Sequence, residues 1–322
     1  MAFADFKQDL TSVTSGAKIN TYYRPAPTPG KPTILLLHGF PQNALMWKDF
    51  VLEVPEEYPV LVADLPGYGL STKSPSPSGD SFSHSKREWA KDIIEAIDVV
   101  LPGSPTQLIV FGHDRGGRLA YRLALDFPER VKAIGVLDMV PTSFMWGAMN
   151  LDNNLHKETR ASWHWVFLSA PRPFPETFIS TQASFFFTNI MRGGTGPAAR
   201  DRPNWSNWAY DSINQYTDPE LGYDRVVGIC EDYRAGATHD LVFDLEDGLN
   251  PKEPKKVFKV PILALSSVFL RARLPVDEIW KSVGEEGLVE SYQIGDEKTG
   301  HFFVNEETEE VGRRLREWLV KI

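Results

Sequence analysis

In VFGHDRGGRLAYRLA, residues 110–124, an apolar strand end runs into a glycine-flanked turn and then a helix, and Asp114 sits at the crest of the turn. A bend of the form Gly-x-nucleophile-x-Gly presents a single side chain. Here Gly112, Gly116 and Gly117 remove side chains where backbone segments converge. The helix N-terminus beneath such a turn offers free N–H groups and a positive dipole end, which keep an anion ionised. A carboxylate is poorly suited to attack esters or amides, because the anhydride it would form is high in energy. It suits displacement at a saturated carbon, where the product is an ordinary ester on the protein. Water must then cut that ester, which calls for a general base and for donors to the oxyanion. The competing role for Asp114 is capping the helix that follows it.

Of seven histidines, His301 lies in DEKTGHFFVNEE, after the last expected strand and before the last helix. In a doubly wound sheet that loop falls at the carboxyl ends of the strands, on the same edge as the turn at Asp114. A histidine there can activate water, since its unperturbed pKa is about 6.5. It needs an acid to fix its tautomer. Asp138, in GVLDMVPT, ends the strand after the nucleophile helix, whereas SSVFLRARLP offers no acid and Asp277 reads as a helix-start residue. HGF, residues 38–40, directly follows a strand, and the backbone N–H groups of Phe40 and Arg115 are the expected oxyanion donors.

The elements that must hold these residues are legible as alternation. PTILLLHGF (32–40), YPVLVADLPGYG (58–69), TQLIVFGHD (106–114) and VKAIGVLDMVP (131–141) read as buried strands, as do KVPILALSS (259–267) and LVESYQIGD (288–296). Amphipathic helices fall between them, one with Trp89, Ile93, Ile97 and Val100 on a stripe and one over 115–126; NEETEEVGRRLREWLVKI reads as a closing helix. This pattern predicts an α/β fold with a doubly wound, mostly parallel sheet. From 142 to 250 the alternation stops and the chain turns aromatic and helical, with GGTGPAARDRPN (193–204) expected as a long loop. The expected organisation is a core in two parts, 1–141 and 251–322, interrupted by a helical cap over 142–250.

Together HGFPQ, DLPGYGLS, GHDRGGR, LDMVPT, WHW, CEDYRAG and GHFFV resemble the α/β-hydrolase fold, in the branch of haloacetate (fluoroacetate) dehalogenases and soluble epoxide hydrolases. GHDRGGR, WHW and DYRAG point more narrowly to the dehalogenases. The resemblance implies Asp114 as nucleophile, His301 as base, Asp138 as relay acid, Arg115 and Arg118 on the substrate carboxylate, and His164, Trp165 and Tyr233 on the departing halide. It implies hydrolysis of a small 2-halo acid such as fluoroacetate or chloroacetate. It also implies no cofactor and a homodimer. Asn189 stands where the dehalogenases carry a tryptophan, which implies a more open pocket, and SSVFLRAR lacks the more usual glycine-containing turn. The alternatives are an epoxide hydrolase using the same three residues with His164 and Tyr233 as donors, and a non-catalytic binder on the same scaffold. Arg115, Arg118 and Trp165 favour the dehalogenase.

Bulk properties bound the rest. A net charge of −9 over 322 residues argues against a nucleic-acid partner. A lone cysteine, Cys230, rules out an internal disulfide and fits a reducing compartment. MAFADFKQDL lacks the pattern of a signal peptide, and no apolar run approaches a membrane span, so a cytoplasmic protein with a small-molecule substrate is expected. Histidines and carboxylates do not fall at metal-ligand spacings, so no metal is expected.

Overall fold

The computed structural model describes residues 3–102, 106–149 and 157–322. Eight strands form one sheet: β1 (Lys7–Ser12), β2 (Lys18–Arg24), β3 (Thr33–Leu37), β4 (Val60–Ala63), β5 (Leu108–His113), β6 (Val131–Leu137), β7 (Ile262–Ser267) and β8 (Val289–Ile294). Their order is β1-β2-β4-β3-β5-β6-β7-β8. The pairs from β4 to β8 are parallel, and β1 and β2 add an antiparallel edge. Every residue of β3, β4, β5 and β7 is buried, as unbroken apolar runs require when both faces of a sheet are covered. The expected strands are all present. The β1–β2 hairpin is an addition, because its polar, half-exposed segments carry no buried-strand signature.

Helix α1 (Lys86–Val100) is capped by Ser85, whose side chain accepts from Glu88 N, and it buries Trp89, Ile93 and Ile97 along the expected stripe. Helix α2 (Arg115–Asp126) follows the turn at Asp114. Between β6 and β7 the described elements are all helical: α3 (Thr142–Ala148), α4 (Lys157–Ala161), α5 (Trp163–Leu168), α6 (Phe174–Thr181), α7 (Ala183–Gly194), α8 (Pro197–Arg200), α9 (Trp205–Thr217), α10 (Gly222–Ala237) and α11 (His239–Glu246). The expected loop at 193–204 is corrected in part. Helix α7 runs on to Gly194, and Pro197 opens α8, where its missing N–H costs nothing. After β7 come α12 (Val268–Arg271) and α13 (Val276–Val283). The expected closing helix is divided at Glu307 into α14 (Phe303–Glu306) and α15 (Thr308–Leu319). Among the described residues no helix is long and apolar enough to cross a membrane.

This topology gathers the candidate residues. β3, β5, β6, β7 and β8 are successive neighbours in the sheet; Ser267 ends β7, and the loops that leave the other four carry Phe40, Asp114, Asp138 and His301. All five therefore meet along the carboxyl edge of the parallel strands. The turn at Asp114 is possible only because α2 starts hard against its neighbours. A Cβ on Gly116 would lie 2.3 Å from Leu37 O and 2.4 Å from His38 O, and one on Gly112 would lie 2.2 Å from Gly116 O. These are backbone atoms that cannot swing aside. Gly116→Ala is therefore expected to lower folding stability by about 1–3 kcal/mol, read as an earlier urea midpoint at unchanged slope.

Candidate active site

Asp114 has φ 47° and ψ −110°, a backbone that non-glycine residues rarely adopt. Its side chain makes no capping bond to α2, so the structural role weighed for it is not the one it fills. Instead its Oδ1 accepts from Phe40 N at 3.0 Å. Gly39 permits this approach, since a Cβ there would stand 2.5 Å from the Asp114 Cβ. One carboxylate oxygen is thus held by a backbone donor while the other stays available. Among the described residues Phe40 is the backbone donor bonded to this carboxylate; the Arg115 N–H lies beside it at the start of α2. Burial works to raise the Asp114 carboxyl, but the positive fields of His301, Arg115 and Arg118 outweigh it and hold it below the usual carboxylate range.

His301 Nδ1 meets Asp138 Oδ2 at 2.6 Å, which leaves Nε2 as the free ring nitrogen. Asp138 is fixed in turn: its backbone is left-handed at φ 51°, and its Oδ1 accepts from Ser267 N at 2.7 Å. The loop after β7, which carries no acid of its own, thus orients the acid that β6 supplies. Burial works against charge on His301, yet the Asp138 hydrogen bond and the Asp138 and Asp114 charges raise its pKa above the usual value of 6.5. The His301 backbone is held on both sides. Its N–H donates to Gly194 O at 2.7 Å, and its carbonyl lies 2.9 Å from His113 Nε2. Burial drives His113 down to about 4, so it is neutral and its Nε2–H donates to that carbonyl.

Above this edge opens a cavity of about 980 Å³. Asp114, Asp138 and His301 line it, together with Phe40 and Arg118 from the core. His164 and Trp165 of α5 and Tyr233 of α10 face it from the helical insertion, and Asn189 of α7 borders it. The Tyr233 hydroxyl is buried and has no partner among the described residues. Burial, reinforced by the Asp114 charge, pushes its pKa well up, so it stays protonated and able to donate. Burial takes His164 down to about 4, leaving a neutral imidazole packed parallel to Phe40, with ring centroids 5.9 Å apart. Arg118 donates through Nη1 to Val140 O at 2.8 Å, lies over Trp165 at 4.5 Å, and keeps an unpartnered Nε.

Arg115 departs from the expectation that it holds substrate. It is fully buried and is not among the residues lining the cavity. Its guanidinium is taken up by Asp232, through Nε at 2.9 Å and a short contact from Nη2, and lies 4.4 Å over the Tyr233 ring with Nη1 unpartnered. Asp232 also receives Lys86 Nζ and the Tyr68 hydroxyl. Arg115 is therefore neutralised behind the wall, and it supports the ring of Tyr233 from there. Asp232 and Lys86 escaped notice in the sequence because a lone acid on α10 and a lone lysine on α1 give no sign that they meet.

Glu306 was missed for the same reason. Its Oε2 accepts from Gly196 N at 3.0 Å and Gly300 N at 2.8 Å, fastening the α7–α8 connection to the loop that carries His301. Burial raises its carboxyl to about 7.

The chain has counterparts among known proteins. A family model described as alpha/beta hydrolase fold matches residues 32–217. The chain is 33% identical to a fluoroacetate dehalogenase of Burkholderia sp, over 89% of this chain and 87% of that one. It is also 33% identical to a soluble epoxide hydrolase of Corynebacterium sp. (strain C12), over 39% of this chain and 41% of that one. Among solved structures, a Pseudomonas aeruginosa protein provisionally described as an epoxide hydrolase superposes with a TM-score of 0.79 at 27% identity, covering 99% of this chain and 96% of that one.

Removing the carboxylate charge with Asp232→Asn would leave Arg115 as an uncompensated buried cation and Lys86 with only its longer contact to Asp240, at 3.5 Å. The expected loss is about 3–5 kcal/mol of folding stability, measured by urea denaturation at neutral pH.

Proposed function

Because the chain belongs to the α/β-hydrolase fold family, we propose that it hydrolyses the carbon–halogen bond of a small 2-halo acid, such as fluoroacetate or chloroacetate, through an ester on Asp114. The observation that carries this reading is an ionised aspartate, not a serine, at the strained turn, with Oδ1 engaged by Phe40 N. In the first step the free Asp114 oxygen attacks the carbon next to the substrate carboxylate. The carbon–halogen bond breaks, and halide leaves towards the Tyr233, His164 and Trp165 donors. Bringing one anion to another requires a cation, and Arg118, which lines the cavity and bonds neutral acceptors among the described residues, supplies it.

In the second step His301 Nε2 takes a proton from water, and the hydroxide adds to Asp114 Cγ. Charge collects on Oδ1, where the Phe40 N–H already points, and the Arg115 N–H is the second proposed donor. Collapse of this adduct breaks the bond between Cγ and the Asp114 oxygen that had attacked. The departing alkoxide carries that oxygen away, takes a proton from His301 and leaves as the 2-hydroxy acid, and Asp114 is left as a carboxylic acid with one oxygen from water. The proton passes out through His301. Asp138 holds the imidazole tautomer and steadies the imidazolium that forms.

Opening of an epoxide by the same three residues is the second reading. It draws on the free Tyr233 hydroxyl and on the relatives named as epoxide hydrolases. Arg118 separates the two, since a neutral epoxide gains nothing from a buried guanidinium beside the nucleophile.

With His301→Ala and chloroacetate, chloride is released once per chain and the peptide spanning 110–124 gains the mass of a carboxymethyl group. Absence of that adduct, with diol formed instead from styrene oxide by the wild type, assigns the second reading. The two half-reactions also part with pH. Ester formation stays level through the histidine range, because Asp114 is held ionised below its usual value. Ester hydrolysis falls away on acidification as His301 protonates, which the Asp138 and Asp114 charges shift above 6.5 in the free protein. Esterification removes the Asp114 charge, so the hydrolysis limb, read by single-turnover quench at several pH values, lies below the free-protein value.

A further inference from the structure

The cavity is far larger than a haloacetate ion requires. At about 980 Å³ it reaches the upper end of the roughly 300–1,000 Å³ that encloses drug-sized ligands. Its charges are also one-sided. Apart from Asp114, Asp138 and the two histidines, His164 and His301, the ionisable side chains on its described wall that are charged at neutral pH are all cations: Arg118, Lys157, Arg160, Arg200 and Arg273. The chain as a whole is acidic, at −9, so this concentration runs against the composition. The cations come from four separate segments, α2, α4, α8 and the stretch after α12, rather than from one basic run.

They are not equivalent. Arg273 is committed to Glu158, at 2.8 Å. Lys157, Arg160 and Arg200 make no ion pair among the described residues; Arg200 binds only the Thr195 carbonyl, through Nε at 2.8 Å. All three are exposed at the cavity, whereas Arg118 is buried in the core. Arg118 suffices for the carboxylate beside the reacting carbon, which leaves the outer cations without an anion to meet. Much of the remaining wall is apolar, through Met139, Val140, Met145, Ile190 and Leu270, and suits a hydrocarbon chain.

We propose that the outer part of the cavity is a second anion subsite, in which Arg160 and Arg200 receive a distal carboxylate, so that the preferred substrate is a 2-halogenated dicarboxylate. This rests on the dehalogenation reading and names its substrate class. The reacting carbon and its carboxylate lie at Asp114 and Arg118, methylene groups cover the apolar wall, and the far carboxylate accepts planar, paired hydrogen bonds from the guanidinium groups. The bond changes are those of the two steps above; the distal group takes no part in them.

The test compares 2-chloroadipate with 2-chlorohexanoate, which differ in the distal carboxylate. The wild-type protein is expected to release chloride from the dianion with a kcat/KM at least about tenfold higher, the gain of roughly one charge-assisted contact. In the Arg160→Ala/Arg200→Ala double variant the ratio falls to near one. Arg160→Lys/Arg200→Lys, which keeps the charge but not the paired geometry, retains part of it and separates loss of charge from structural damage. A wild-type ratio near one, or a preference that survives the double alanine variant, overturns the proposal. An equal loss for both substrates, restored by neither anion, marks general steering and also overturns it. Calorimetric binding of adipate against hexanoate needs no turnover. Tighter adipate binding that the double variant abolishes supports the subsite even if no chlorinated acid reacts, in which case it is the dehalogenation reading that fails.

Discussion

A buried carboxylate remains an anion only where nearby positive charge outweighs the water it has lost, and the structure around Asp114 is organised by that constraint. Ionisation is what makes this side chain a nucleophile. It is secured by three cationic neighbours of different kinds: His301 across the cavity, Arg118 on its wall and Arg115 behind it. Each is itself balanced differently. His301 leans on Asp138, Arg115 is cancelled by Asp232, and Arg118 rests only on neutral acceptors, Val140 O and the Thr142 hydroxyl. Arg118 is therefore the cation with charge to spare for an incoming anion, although Arg115 is its close neighbour on the same helix. Sequence position alone would make the two arginines equals; their partners make them different.

Legibility in the sequence followed the same division. Asp114, Asp138 and His301 could be placed because each ends or follows an apolar strand, and parallel strands deliver their carboxyl ends to one edge whatever lies between them. The register between β6 and β7 and between β7 and β8 then brings residues 163 positions apart to hydrogen-bonding distance. The pairing of Arg115 with Asp232 has no such rule behind it. It depends on how α10 lies across the turn at Asp114, and helix packing in the insertion leaves no periodic trace in the chain. The β1–β2 hairpin was silent for a different reason: an edge hairpin exposes half its side chains, so KQDLTS and KINTYYR read as polar chain. The 193–204 stretch misled because Gly and Pro punctuate helix ends as readily as they make loops.

The insertion is also tied to the reacting groups through the main chain. Gly194 O accepts from the His301 N–H, and Glu306 bridges Gly196 and Gly300 through a single oxygen. There is no room for side chains at this seam: a Cβ on Gly300 would lie 2.3 Å from Gly194 O, and one on Gly196 would lie 2.0 Å from Lys298 O. The loop that carries the base is thus registered against the helices that carry Asn189 and Arg200, and not only against the sheet. Packing on both layers thus fixes the backbone of His301, the proposed base.

This arrangement separates what must be rigid from what can vary. The nucleophile, its acid and base, and the Phe40 donor all sit on loops leaving adjacent strands, where register fixes them relative to one another. The groups that meet the rest of a ligand come mainly from short helices, α4, α5 and α8, none longer than six residues. Such helices are held by packing rather than by their own hydrogen bonding, so substitution on their cavity faces changes shape and charge without moving the sheet edge. In the proposed reaction the turn at Asp114 supplies an anionic nucleophile for a saturated carbon. In that reading, which saturated carbon arrives there is decided by the cations and apolar side chains that these helices hold around it.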